Sequence, residues 1–165
     1  MTSCDDFPNL DALLSRVVEQ ATDRALAGAA PFAALVVDET GSVVGEGVNR
    51  VVDHSDPTAH AEIEALRDAA GGLGRTSLRG HAVIASGEPC AMCAMALRSA
   101  GVERVYYAMS RDQAAQAGYD YRSSYDVIRE DALGRDLPCR HAPAPEAEAM
   151  LARWPERAAT PIPPD

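Results

Sequence analysis

The stretch from Glu88 to Met95 reads EPCAMCAM and sets Cys90 and Cys93 three residues apart behind Pro89. At that spacing two cysteines share one face of the first turn of a helix and can grip one ion. The partial positive charge at a helix N-terminus favours both as thiolates. Upstream, DPTAHAEIEALR sets His60 and Glu62 two apart. In the middle of a helix these two would point to nearly opposite sides. At a helix start, where the chain is still entering the coil, both side chains can reach toward one point in front of the helix end. His60, Cys90 and Cys93 make three protein ligands for Zn²⁺, and a tetrahedral ion then keeps its fourth position for water, which separates a catalytic site from a closed structural one. Glu62 stands beside that water.

Each residue type has a chemical reason. Two thiolates and an imidazole offset the charge of Zn²⁺, so its water is acidified less than in an all-histidine site, where the pKa falls to about 7. A base is still needed, and Glu62 is that base. It takes the proton of the attacking water and returns protons to a ring nitrogen and a leaving amine. An amidine-type ring carbon would thereby become an oxo carbon, with release of ammonia.

These residues must be positioned by regular elements. Leu10, Leu13, Leu14, Val17, Val18 and Ala21 recur at helical spacing and predict an amphipathic helix from Leu10 to Leu26. PFAALVVDE and SVVGEGVNR, separated by Thr40 and Gly41, predict a β-hairpin. A second helix follows, with Asp56 as N-cap, Pro57 at the first helical position and Gly71 as its stop. HAVIAS predicts a buried strand, EPCAMCAMALRSAG a third helix with proline at its start and glycine at its end, and ERVYYAM another strand. Helical stretches around Asp112 to Ala117, Ser124 to Asp131 and Pro145 to Arg153 come next, with a short last strand near Leu137 to His141. This alternation predicts an α/β fold with a central sheet of about five strands and helices on both faces.

The chain has 165 residues, the size of one domain, and residues 155–165 form a loose tail. Its net charge of −10 argues against nucleic acid as a partner, because such binders neutralise phosphates with clustered basic residues. The acidic start MTSCDDFPN is not a signal peptide, and the run from Ala25 to Val37 is interrupted by Pro31 and too short to span a membrane. A cytoplasmic location follows. In that reducing compartment, Cys4, Cys90, Cys93 and Cys139 are explained by metal or burial rather than by disulfides.

The order H-x-E, then P-C-x-x-C, resembles the zinc nucleobase deaminases of the cytidine deaminase superfamily. Within it, DPTAHAE and EPCAMC resemble both the tRNA adenosine deaminases and the bacterial guanine deaminases. The later stretch YYAMSRDQAAQAGYDYRSSYDVI resembles the guanine deaminase branch, through Ala117, Gly118, Tyr119, Asp120 and Tyr125. The resemblance covers the chain from about Leu10 to Tyr125. It implies a three-layer α/β/α sandwich with a mixed five-stranded sheet, a tight or domain-swapped homodimer, and a free nucleobase as substrate. It further implies that Asn49 hydrogen-bonds the base and that the backbone near Ala61 and Glu88 frames the pocket. Three positions depart from that branch: Tyr121 stands where it has a second aspartate, Ala33 where it has a glycine, and the chain ends TPIPPD rather than in an aromatic residue. Phe32 and Trp154 are candidates to close the site instead.

Other readings compete. Asp120 is a second proton carrier in the pocket or a turn residue, with the motif favouring the pocket. Tyr119 and Tyr121 stack a base or pack; Tyr106 and Tyr107 are read as packing. His54, His81 and His141 are ordinary polar residues with local partners, and Cys4 and Cys139 lie outside any ligand cluster. The leading reaction is guanine to xanthine and ammonia. Its rivals are the same chemistry on cytosine, a nucleoside, an amino-triazine or a pterin, and a non-catalytic zinc protein that serves as a binding module.

Overall fold

The computed structural model describes residues 7–126. Four strands, β1 (Ala33–Val37), β2 (Val43–Val48), β3 (Ala82–Gly87) and β4 (Arg104–Met109), form one sheet in the order β2-β1-β3-β4. The first two pairings, β1 with β2 and β1 with β3, are antiparallel, and β3 with β4 is parallel. The sheet is therefore mixed, as expected, with four described strands. The expected strand near Leu137 to His141 lies outside the described residues, as do the helix at Pro145 to Arg153 and most of that at Ser124 to Asp131.

Alternation along the two central strands builds both cores. Ala33, Leu35, Val37, Ala82 and Ile84 point to one face and meet Leu13, Val17 and Ala21 of helix α1 (Leu10–Leu26). Ala34, Val36, Val83 and Ala85 point to the other and meet Ala61, Ala65 and Ala69 of α3 (Ala61–Leu73) and Leu97 of α4 (Ala91–Ser99). Because β1 and β3 are covered on both sides, both are apolar throughout rather than alternating. The result is the three-layer α/β/α sandwich. Val18 was counted with the apolar stripe of α1 but is exposed. Among the described residues no helix is long and apolar enough to cross a membrane.

The second helix starts later than its sequence predicts. Asp56 does not cap it; the Asp56 carboxylate instead accepts from the main-chain N–H and the hydroxyl of Thr58, at 2.8 and 2.7 Å, closing a local turn. A one-turn helix, α2 (Val51–His54), precedes that turn, and α3 runs past Gly71 to a left-handed cap at Gly74. Small residues bring α3 hard against β2. A Cβ on Gly47 would lie 2.3 Å from the Ala65 nitrogen and 2.5 Å from the Ala61 oxygen, and one on Gly45 would lie 2.5 Å from the Ala69 nitrogen. Only glycine permits this approach, and it fixes the height at which α3 presents its N-terminus.

Candidate active site

His60 and Cys90 are the N-cap residues of α3 and α4, and both have extended backbones, with φ/ψ of −70/158° and −70/170°. An N-cap side chain commonly accepts from its own helix, yet neither of these does. Both project ahead of the helix ends instead. Glu62 and Cys93 follow within the first turns. The two-residue spacing of His60 and Glu62 thus works as the start of a helix requires: the imidazole leaves from extended chain and the carboxylate from the first turn.

The Nδ1 of His60 lies 3.6 Å from Cys90 Sγ and 3.6 Å from Cys93 Sγ. All three donor atoms lie within 4.8 Å of one another, and this is the metal-competent group among the described residues. The donor set fits zinc. Tetrahedral bonds of ordinary zinc–sulfur and zinc–nitrogen length place those two atoms about 3.6 Å apart. Soft thiolates with an imidazole also select zinc over hard cations such as magnesium.

The electrostatics of the two thiols are split. The hydrogen bond from Cys93 and the nearness of His60 hold Cys90 down to about 4 against its own burial, while the same bond and burial push Cys93 up. The pair releases one proton readily and keeps the other, so binding of a cation must displace the second. The bond to Cys90 also raises the His60 imidazole. Glu62 is buried, which pushes its carboxyl above the ordinary range, and it accepts from the Cys93 thiol at 3.4 Å. A buried carboxyl that holds its proton more tightly than usual can act as a general acid as well as a base.

His60, Glu62 and Cys90 form one wall of a cavity of about 150 Å³, whose other lining residues are Phe32, Asn49, Ala61, Glu88 and Tyr121. Phe32 meets the Tyr119 ring edge to face at 5.6 Å, which places Tyr119 behind the wall. Asn49 is buried, and its Oδ1 accepts from the Val51 N–H at 3.3 Å. A backbone N–H can only donate, so the atom facing it is the oxygen, and Nδ2 is left as the donor end of the amide. Tyr121 donates its hydroxyl to the Glu88 carbonyl oxygen at 2.6 Å.

Asp120 corrects an expectation. It does not line the cavity; its carboxylate is exposed and held by Arg122, with contacts of 2.9 and 2.7 Å, and that cation holds it down to about 2. The Glu88 carboxylate accepts from the Arg111 main-chain N–H and pairs with the Arg111 guanidinium. His54 faces Glu64 at 3.8 Å and His81 faces the Arg79 carbonyl at 3.0 Å, the local partners expected of ordinary histidines. Tyr106 packs on Phe7, whereas Tyr107 is exposed at the sheet edge. Cys4, Cys139, His141 and Trp154 lie outside the described residues. Sequence reading passed over Arg24, whose guanidinium contacts the Asn49 main chain; an arginine on an amphipathic helix carries no signal of such a contact.

The profile of the cytidine and deoxycytidylate deaminase zinc-binding region matches residues 8–109. The chain is similar to the guanine deaminase of Bacillus subtilis, with 35% identity over 147 residues, 88% of this chain and 94% of that relative. The solved structure of that enzyme superposes with a TM-score of 0.79 over 87% of this chain and 92% of the other. A protein named NE0047, solved in complex with 2,6-diaminopurine, is 32% identical with a TM-score of 0.65 over 68% of this chain and 62% of the other. The tRNA-specific adenosine deaminase of Haemophilus influenzae is 37% identical over 101 residues, 61% of this chain and 58% of that relative. With its histidine and two cysteines gathered at two helix ends and the matching profile spanning them, this chain belongs to the cytidine and deoxycytidylate deaminase family.

Proposed function

We propose that this protein hydrolyses a free purine base, guanine to xanthine and ammonia, with a zinc ion held by His60, Cys90 and Cys93. The observation that carries the chemistry is the Glu62 carboxylate, buried within 3.4 Å of one metal donor and facing a cavity of about 150 Å³. A structural site has no use for that carboxylate. Similarity to the Bacillus subtilis guanine deaminase along 88% of the chain supports guanine as the base.

Zinc, when bound, supplies a Lewis acid that makes water a nucleophile near neutral pH. Glu62 takes the proton from the attacking water and delivers protons to the ring nitrogen and the departing amine. A carbon–oxygen bond forms, the carbon–nitrogen bond breaks, and ammonia leaves. Asn49 turns its Nδ2 donor toward an acceptor on the base, Phe32 and Tyr121 supply ring surfaces, and the Ala61 and Glu88 segments frame the site. The reading takes the chain as one domain, working as a cytoplasmic homodimer.

One observation favours a second substrate. Tyr121 puts an aromatic ring where the resembled branch carries a carboxylate, so an amino-heterocycle other than guanine would meet a less charged pocket. Ammonia release from guanine, guanosine, adenine, cytosine, cytidine and pterin or amino-triazine analogues, with Glu62→Gln as control, decides between them. Release from guanine alone is expected; an inert guanine beside an active analogue selects the second reading.

A further inference from the structure

We propose that Tyr121, Ser124 and Tyr125 are positioning residues that strap the Cys90 loop in place, so that this thiolate is set by a segment beyond the metal motif. The inference rests on the metal site proposed above.

Cys90 is presented by extended chain, its carbonyl accepting the first bond of α4 from the Ala94 N–H at 2.8 Å, and Pro89 before it has no N–H to tie it down. Its neighbours are held from outside. The Glu88 carbonyl accepts the Tyr121 hydroxyl, the Pro89 carbonyl accepts the Tyr125 hydroxyl, and the Ala91 N–H donates to Ser124 Oγ at 3.3 Å. Three side chains from one short segment thus bond the main chain on both sides of the ligand. On the other half of the site, the main-chain bonds at and beside His60, from Arg50 N–H to the Ala59 oxygen, from His60 N–H to the Thr58 oxygen and from Glu64 N–H to the His60 oxygen, join backbone to backbone.

The strap is itself anchored. α5 (Arg111–Gln116) begins with a capping box between Ser110 and Gln113, and Gly118, at φ +95°, turns the chain back toward the cavity. A 3₁₀ turn, Arg122–Tyr125, then brings Tyr121, Ser124 and Tyr125 to one side. Arg122 pairs with Asp120 and reaches Asp112 of α5 at 3.4 Å. Arg111 joins the two ends: its guanidinium lies 4.2 Å from the Tyr125 ring centre and pairs with the Glu88 carboxylate at 3.2 Å.

This arrangement assigns Tyr121 a task. Burial and the nearby Glu88 and Glu62 carboxyls push its hydroxyl well above its ordinary range, so it stays a phenol whose one proton is spent on the Glu88 carbonyl. It neither ionises nor donates to a substrate. Outer partners of a metal site cost roughly 10- to 100-fold in affinity when removed, and a carbonyl left without its donor lets the thiolate wander.

The test uses Tyr121→Phe, Ser124→Ala, Tyr125→Phe and the triple variant. Zinc release from the purified protein to a chromogenic chelator is timed, and amide hydrogen exchange is followed in residues 88–93. Expected are release about tenfold faster in the triple variant and faster exchange confined to that stretch, with the circular dichroism spectrum kept. Folded variants with wild-type release and wild-type exchange would overturn the strap. If the triple variant does not fold, the single variants, each lacking one hydroxyl, decide by the same two readouts. If the wild-type chain holds no zinc, the metal reading fails, and exchange in residues 88–93 alone decides the strap.

Discussion

Arg24, on the helix covering one face of the sheet, donates to the main-chain oxygen of Asn49 at 2.7 Å and pairs with Asp53 at 2.9 Å. The Asn49 N–H donates to the Phe32 carbonyl, and its Oδ1 accepts from Val51. The residue whose amide faces the cavity is thus fixed through its main chain from both sides. Arg24→Ala is expected to raise KM for the purine about tenfold, the worth of a charge-assisted hydrogen bond of about 1.5 kcal/mol, with a smaller change in kcat. Steady-state kinetics check it, and Arg24→Lys should recover part of the loss.

Glu62→Gln keeps the shape of the buried side chain and removes its proton traffic. A fall in kcat of about 10²- to 10⁴-fold is expected, with zinc content and thermal midpoint held near wild type. Measuring ammonia release beside metal content separates the two effects. Activity near wild type would exclude Glu62 as the base.

The contact between β2 and α3 predicts opposite outcomes for two glycines. Gly47→Ala forces a methyl group into the helix backbone at Ala65 and Ala61, an overpacking worth about 1–3 kcal/mol of lost stability or more. Gly71 sits in the same helix with nothing within 4 Å of its missing Cβ. Gly71→Ala should therefore gain about 0.5–1 kcal/mol by restricting the unfolded chain. Urea titration of both variants reads the contrast.

Removal of the metal by a strong chelator is expected to abolish turnover. Zinc should restore it and magnesium should not, because two thiolates and an imidazole are soft donors. Activity undiminished in thoroughly chelated protein would remove zinc from the mechanism.

Much of this was legible in the sequence because local rules carried it. The period of Leu13, Val17 and Ala21 marked α1, PFAALVVDE marked β1 as one arm of a hairpin, and HAVIAS marked β3 as a buried strand. The site was legible because Cys90 and Cys93 share one helical face and the two-residue spacing of His60 and Glu62 brings them together only at a helix start. What was not legible depends on tertiary partners or on competing turns. Asp56 looked like a cap but bonds Thr58, which delays α3 and makes His60 the cap residue. Asp120 looked like a pocket group until Arg122, two residues on, claimed it. The service of Tyr121 to Glu88 bridges a separation of 33 residues, which no local pattern encodes.

The closeness of His60 to Cys90, 30 positions apart in the chain, has a consequence for folding. An ion bound between them acts as a removable cross-link, closing a loop of that length in any unfolded chain that keeps the metal. By chain-entropy arithmetic such a closure disfavours the unfolded ensemble by about 3–4 kcal/mol. The atoms that define the reaction site then also act as the clasp of the fold, and resistance to denaturation becomes a function of free zinc.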